Sequence, residues 1–112
     1  MRTPLTAPDL IYTTWPDENA ATSAARHLLT EKLIACCNIF PSGRSLYMWE
    51  GEIQDDAETV AIFKTTSALA RQVCDRLKAL HTYDVPAIIH LPASDTASLE
   101  AYSTWVHQCV SA

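Results

Sequence analysis

The chain has 112 residues, 48% of them hydrophobic and 19% charged, and its 13 acidic against 8 basic side chains leave a net charge of −5. That size and apolar fraction suit one packed domain over residues 1–112, and they exclude a disordered chain or two independent cores. Only two glycines, four cysteines without CxxC spacing and an acidic balance argue against a glycine-rich phosphate loop, a disulfide scaffold and a nucleic-acid partner.

The longest unbroken apolar run, Leu33 to Cys37, is far short of the roughly 20 residues of a membrane span, so no membrane partner is expected. Residues 1–9 hold two prolines and no apolar signal core, which makes the cytoplasm the expected location.

In chain order, Pro8 to Thr14 (PDLIYTT) predicts a short strand, apolar enough to be central in a sheet. Pro16 and Asp17 stop it and cap a helix in which Ala21, Ala25, Leu28 and Leu29 recur at helical spacing up to about Lys32. Two long strands follow, Leu33 to Trp49 and Glu52 to Thr65, turning at Glu50-Gly51 as a hairpin, with Pro41 and Gly43 marking a bulge in the first arm. Ser67 is the expected N-cap of a second helix carrying Leu69, Val73, Leu77 and Leu80 and ending near His81. Val85 to Leu91 predicts a fourth strand, and Leu99, Tyr102, Trp105, Val106 and Cys109 predict a closing helix.

The order βαββαβ plus a final helix specifies an α+β, ferredoxin-like sandwich. An arm of about 14 residues is about 46 Å long, whereas a domain of this size is about 34 Å across, so the hairpin overhangs its own domain. Its tip carries Tyr47, Met48 and Trp49, residue types enriched in interface cores, and a homo-oligomer built through the hairpin is expected.

Candidate chemistry is sparse. His81, Tyr83 and Asp84 form the one local cluster, in a turn, where imidazole, phenol and carboxylate suit a metal or polar ligand; a helix end with packed side chains is the alternative. Lys64 follows an apolar run and is expected to meet a carboxylate or an anion, or else to snorkel at the sheet edge. Cys36 and Cys37, adjacent on a strand, face opposite sides and cannot chelate one ion, and no two histidines share ligand spacing on one element. His27 and Glu31 are expected as a solvated pair, His90 as a satisfied strand histidine.

The stretch EKLIACCNIFPSGRSLYMWEGEI, Glu31 to Ile53, strongly resembles the signature block of the CutA divalent-cation tolerance proteins. Further matches run through TWPD, FKT, HTYDVP and LP at Thr14 to Asp17, Phe63 to Thr65, His81 to Pro86 and Leu91-Pro92. The resemblance implies a homotrimer joined through extended hairpins, a non-enzymatic role in tolerance of copper and other divalent ions, and no required cofactor. It also implies a pocket between protomers formed by Trp49, Glu50, Lys64, His81 and Tyr83, with Cys36 as the family's packing cysteine. Any metal held there would be Cu(II) or another divalent cation, with His81 as its donor. The family positions of two other donors hold Thr13 and Leu80, while Trp15, Thr82 and Ala87 depart from the usual residues around the pocket.

Two readings on the same fold compete with it. One is a trimeric signalling module resembling the PII-like proteins, binding a nucleotide or metabolite between subunits with Lys64 and Arg44 meeting phosphates. The other, an acylphosphatase-like hydrolase, lacks the arginine that would cradle phosphate beside TTWPD.

Overall fold

The computed structural model describes residues 7–93 and 97–111. Seven elements follow in the predicted order: β1 (Asp9–Trp15), α1 (Glu18–Thr30), β2 (Cys36–Trp49), β3 (Glu52–Thr65), α2 (Ala70–Leu80), β4 (Ile88–Leu91) and α3 (Glu100–Cys109). They form one antiparallel sheet ordered β2-β3-β1-β4, so the apolar first strand is internal, as its composition predicts. No helix is long and apolar enough to cross a membrane.

Alternation sorts the sheet into two faces. Ile11, Thr13 and Trp15 of β1 lie opposite Phe63, Ala61 and Thr59 of β3, and this face is buried under Ala21, Ala24, Ala25 and Leu28 of α1 and Ala70, Val73 and Leu77 of α2. The other face carries Leu10, Tyr12, Ile62, Lys64 and Cys36, and Tyr102 of α3 reaches it.

Local chemistry sets the element ends. Asp17 accepts a hydrogen bond from Ala20 N at 2.8 Å and caps α1, as predicted. At the other end Lys32 takes a left-handed φ of 57°, its N–H bonds Leu29 O and that of Leu33 bonds Leu28 O. This is a Schellman close with lysine where glycine is usual, so the chain's glycine shortage is met with local strain. The hairpin turn also uses positive φ twice, 50° at Glu50 and 81° at Gly51, the pairing of a two-residue turn whose twist matches its strands.

Several boundaries differ from expectation. β2 starts at Cys36 rather than Leu33, because Leu33, Ile34 and Ala35 are buried in the connection beneath the sheet. Leu29 is exposed while Ala24 takes its expected place in the core. Ser67 does not cap α2; residues 67–69 form a turn closed by Leu69 N on Thr66 O, and the cap residue Leu69 makes no side-chain bond. β4 is shorter than predicted, since residues 81–87 remain a loop before Ile88 pairs with Thr13. Glu31 forms a fork with Arg76 of α2 at 2.9–3.2 Å instead of a pair with His27.

The bulge falls at the predicted place, with the β2/β3 register shifting between Phe40 and Gly43. Beyond it the two arms leave the domain together. The radius of gyration is 15.4 Å and the long axis 57 Å, against about 13 Å for a compact chain of this length.

Candidate functional site

Two of the five expected pocket residues lie together, at the end of α2 and in the loop after it. His81 sits at the C-terminal end of α2 and lies flat on Trp15, ring centroids 4.1 Å apart at 20°, while the Tyr83 ring tilts against it at 4.8 Å. Trp15 is buried and its Nε1 donates to Thr13 Oγ1 at 2.6 Å; that hydroxyl in turn donates to Ala61 O at 2.8 Å. Trp15 therefore builds the wall behind the loop, and the sequence pattern that signals it is its place in the Ile11, Thr13, Trp15 period.

Both nitrogens of His81 are already used. Nδ1 accepts from the backbone N–H of Tyr83 at 3.1 Å, so it carries no proton, and Nε2 donates to Thr14 O at 2.7 Å. Coordination of a metal by His81 would need one of these bonds broken. Thr13 is satisfied in the core and Leu80 packs apolar, so the residues at the family's copper positions do not fit that ion. Among the described residues no group of three His, Cys, Asp or Glu side chains converges on one point.

In front of His81 and Tyr83 opens a cleft of about 540 Å³ lined by Thr14, Pro16, Tyr47, Asp56, Glu58, Tyr83, Val85 and Ala87. The Tyr83 hydroxyl reaches Glu58 Oε2 at 3.4 Å, Glu58 also accepts from Ser45 Oγ, and the Tyr47 hydroxyl donates to Asp56. Hydrogen bonding to Asp56 holds the Tyr47 phenol above its ordinary range; partial burial, then the Glu58 charge, does the same for Tyr83. Both phenols stay neutral donors beside two carboxylates. Among the described residues neither Asp56 nor Glu58 is ion-paired, whereas Asp55, on the other side of the same strand, holds Arg44.

The remaining expected residues are elsewhere in the protomer. Trp49 and Glu50 stand at the hairpin tip, 12 residues or about 40 Å along β3 from Lys64. Among the described residues Lys64 has no carboxylate partner: its Nζ lies 3.2 Å from the Tyr102 hydroxyl and 5.3 Å from that ring's centroid. Arg44 is held by Asp55 on the opposite sheet face from Lys64, so the two do not form one phosphate site. The sequence reading missed Tyr47, Asp56, Glu58 and Tyr102 as site residues. The even-numbered period Glu58, Val60, Ile62, Lys64 shows that Asp56 and Glu58 share a face, but which loop meets that face is a matter of tertiary packing.

His90, read as a satisfied strand histidine, is one: Nε2 lies 2.6 Å from Oδ2 of the buried Asp9, whose Oδ1 accepts from Ala93 N at 3.0 Å.

The family model described as CutA1 divalent ion tolerance protein matches residues 9–109. A divalent-cation tolerance protein CutA of Pyrococcus horikoshii is 43% identical over 97 residues, covering 87% of this chain and 92% of that one. A rice relative named as chloroplastic is 43% identical over 91 residues, 80% of this chain and 51% of its own. The crystal structure of the divalent ion tolerance protein CutA1 of Ehrlichia chaffeensis superposes with a TM-score of 0.88 at 36% identity, covering 96% of this chain and 99% of that one.

Proposed function

The chain belongs to the CutA1 divalent ion tolerance family, and from that premise we propose that it works as a non-catalytic homotrimer in tolerance of copper and other divalent ions. In this reading a small ligand or an ion is held in clefts between protomers. The observation that carries it is an apolar surface that one protomer leaves in water. On the hairpin Trp49 is 62% and Ile53 71% exposed, and on the open sheet face Phe40, Ile89 and Leu91 are about half exposed. Apolar surface of that extent marks an interface with another chain. A second copy suits it, because the outer edges of β2 and β4 are both unpaired within the sheet.

The Tyr47, Asp56, Glu58 and Tyr83 cleft lies where the hairpin leaves the domain, so a neighbouring protomer covering the hairpin would close it. Trp49 and Glu50 of one copy could then join Lys64 or His81 and Tyr83 of another, which they cannot do in their own chain. The carboxylates Asp56 and Glu58, rather than His81, supply the charge that attracts a cation.

Light scattering after size exclusion tests the assembly: three times 12.4 kDa is expected, and a 12.4 kDa species would defeat it. Calorimetric titration with Cu(II) and Zn(II) tests the ion. Binding should persist in His81→Ala and be lost in the double variant Asp56→Asn/Glu58→Gln; absence of binding in the wild-type protein would remove direct metal binding from this reading.

A further inference from the structure

The cleft in front of Tyr83 holds about 540 Å³, the room of a small-molecule site, whereas a bare divalent ion needs only a shell of oxygens at roughly 2 to 2.6 Å. Pro16, Val85 and Ala87 give it an apolar wall. Its polar side chains have mostly spent their hydrogens. Tyr47 donates to Asp56 and Tyr83 to Glu58, so each phenol oxygen is left an acceptor beside a carboxylate that can only accept. No lysine, arginine or histidine is among the described residues that line the cleft, and the Thr14 hydroxyl is the one side-chain donor left. An anionic group therefore finds almost nothing to bind there, while a cation with N–H groups to give finds acceptors throughout.

Spacing is a separate constraint. Asp56 and Glu58 stand two positions apart on one face of β3, opposite Ser45 and Gly43, which sets their backbones about 7 Å apart. Two positive charges at that separation match the pair, and a chain of about four or five methylenes holds two ammonium groups that far apart. Methylenes also cover the apolar wall, which a bare ion leaves in water.

We propose that the cleft takes a linear aliphatic diamine, one ammonium at Asp56 and Tyr47, the other at Glu58 and Tyr83, with the methylene chain against Pro16, Val85 and Ala87. The inference rests on the reading of this cleft as a ligand site between protomers. In that assembly Trp49 and Glu50 of a second copy would add an indole face and a further carboxylate, both of which attract an ammonium. Closure by the second copy strengthens the site, because charge pairs attract more strongly once water is excluded.

The test is calorimetric titration of the full chain in a buffer with a metal chelator, with light scattering on the same sample. The probes are diaminoethane, diaminobutane, diaminopentane and diaminooctane, with butylamine and butanediol for comparison. Affinity should peak at diaminobutane or diaminopentane, and butanediol should not bind. Butylamine should bind at least about fivefold more weakly than diaminobutane, the factor for one unit charge about 4 Å away in water. Asp56→Asn or Glu58→Gln alone should bring diaminobutane down to the affinity of butylamine. Affinity without a length optimum, or unchanged in both carboxylate variants, would mean diffuse attraction to a chain of net charge −5 and overturn the proposal. A trimer that binds no diamine would overturn it and leave the assembly standing, and a 12.4 kDa species that binds none would overturn both. A 12.4 kDa species that binds with the length optimum would support the diamine site and defeat the trimer.

Discussion

The Trp15 indole and the His81 imidazole lie 4.1 Å apart at 20°, joining the end of β1 to the start of the loop that carries Tyr83. Trp15 is buried against Phe63 as well, and its N–H is satisfied by Thr13. Trp15→Ala should destabilise the fold by about 3 to 5 kcal/mol, the usual cost of removing a fully buried large aromatic. Trp15→Phe should cost less, because most of the ring volume stays. Urea denaturation followed by circular dichroism measures both, and equal losses would show that the indole N–H rather than ring volume dominates.

Asp9 has one oxygen on His90 and the other on Ala93 N while almost wholly buried, so it fastens the end of β4 to the start of β1. Asp9→Ala strands a backbone N–H and an imidazole together; a loss of about 3 kcal/mol is expected from breaking such a buried pairing. Hydrogen exchange should accelerate first at His90 and Leu91. Unchanged protection there would mean that β4 is held by its apolar side chains alone.

A Cβ placed on Gly43 would meet Glu58 O at 2.5 Å, a backbone atom that cannot swing aside. Gly43→Ala should therefore distort the bulge and cost about 1 to 3 kcal/mol. Lys32 is the converse case: its φ of 57° strains a side chain in the position glycine prefers, so Lys32→Gly should stabilise by about 0.5 to 1 kcal/mol. Paired melting curves of the two variants should move in opposite directions.

Burial first, then the neighbouring Cys36, lifts the Cys37 thiol from about 9 in the unfolded chain to about 12 in the fold. Between those values the unfolded chain has lost its proton and the folded protein keeps it, so stability is full below about pH 9 and falls as pH rises toward 12. The slope from this one group approaches about 1.4 kcal/mol per pH unit. Chemical denaturation at several alkaline pH values should show a shallower decline in Cys37→Ala than in the wild-type protein; parallel declines would place the thiol in a wetter setting than its burial implies.

Much of the fold could be read directly from the chain. The β1 period Ile11, Thr13, Trp15, the Asp17 cap, the bulge at Pro41 and Gly43 and the turn at Glu50-Gly51 all depend on interactions spanning a few residues. The errors lie where tertiary packing overrides local preference. Ser67 had the chemistry of a cap but α2 begins after Leu69, and residues 85–87 had the composition of a strand but do not pair: the β1/β4 ladder stops at Thr13 opposite Ile88 although β1 continues to Trp15, and Pro86 has no N–H to extend it.

The site divides along the same line. Residue types and spacing picked out His81 and Tyr83 as neighbours and set Cys36 and Cys37 on opposite faces, because helix and strand geometry determines relations within one element. Whether His81 has a free nitrogen, whether Lys64 meets a carboxylate or a phenol, and which strand supplies the acidic wall before Tyr83 were decided by the tertiary structure. Each of those depends on groups 25 to 67 positions apart in the chain, Tyr83 with Glu58 and His81 with Thr14 among them. Hydrogen-bond partners at that separation are chosen by how the layers pack, and local sequence carries no signal of them.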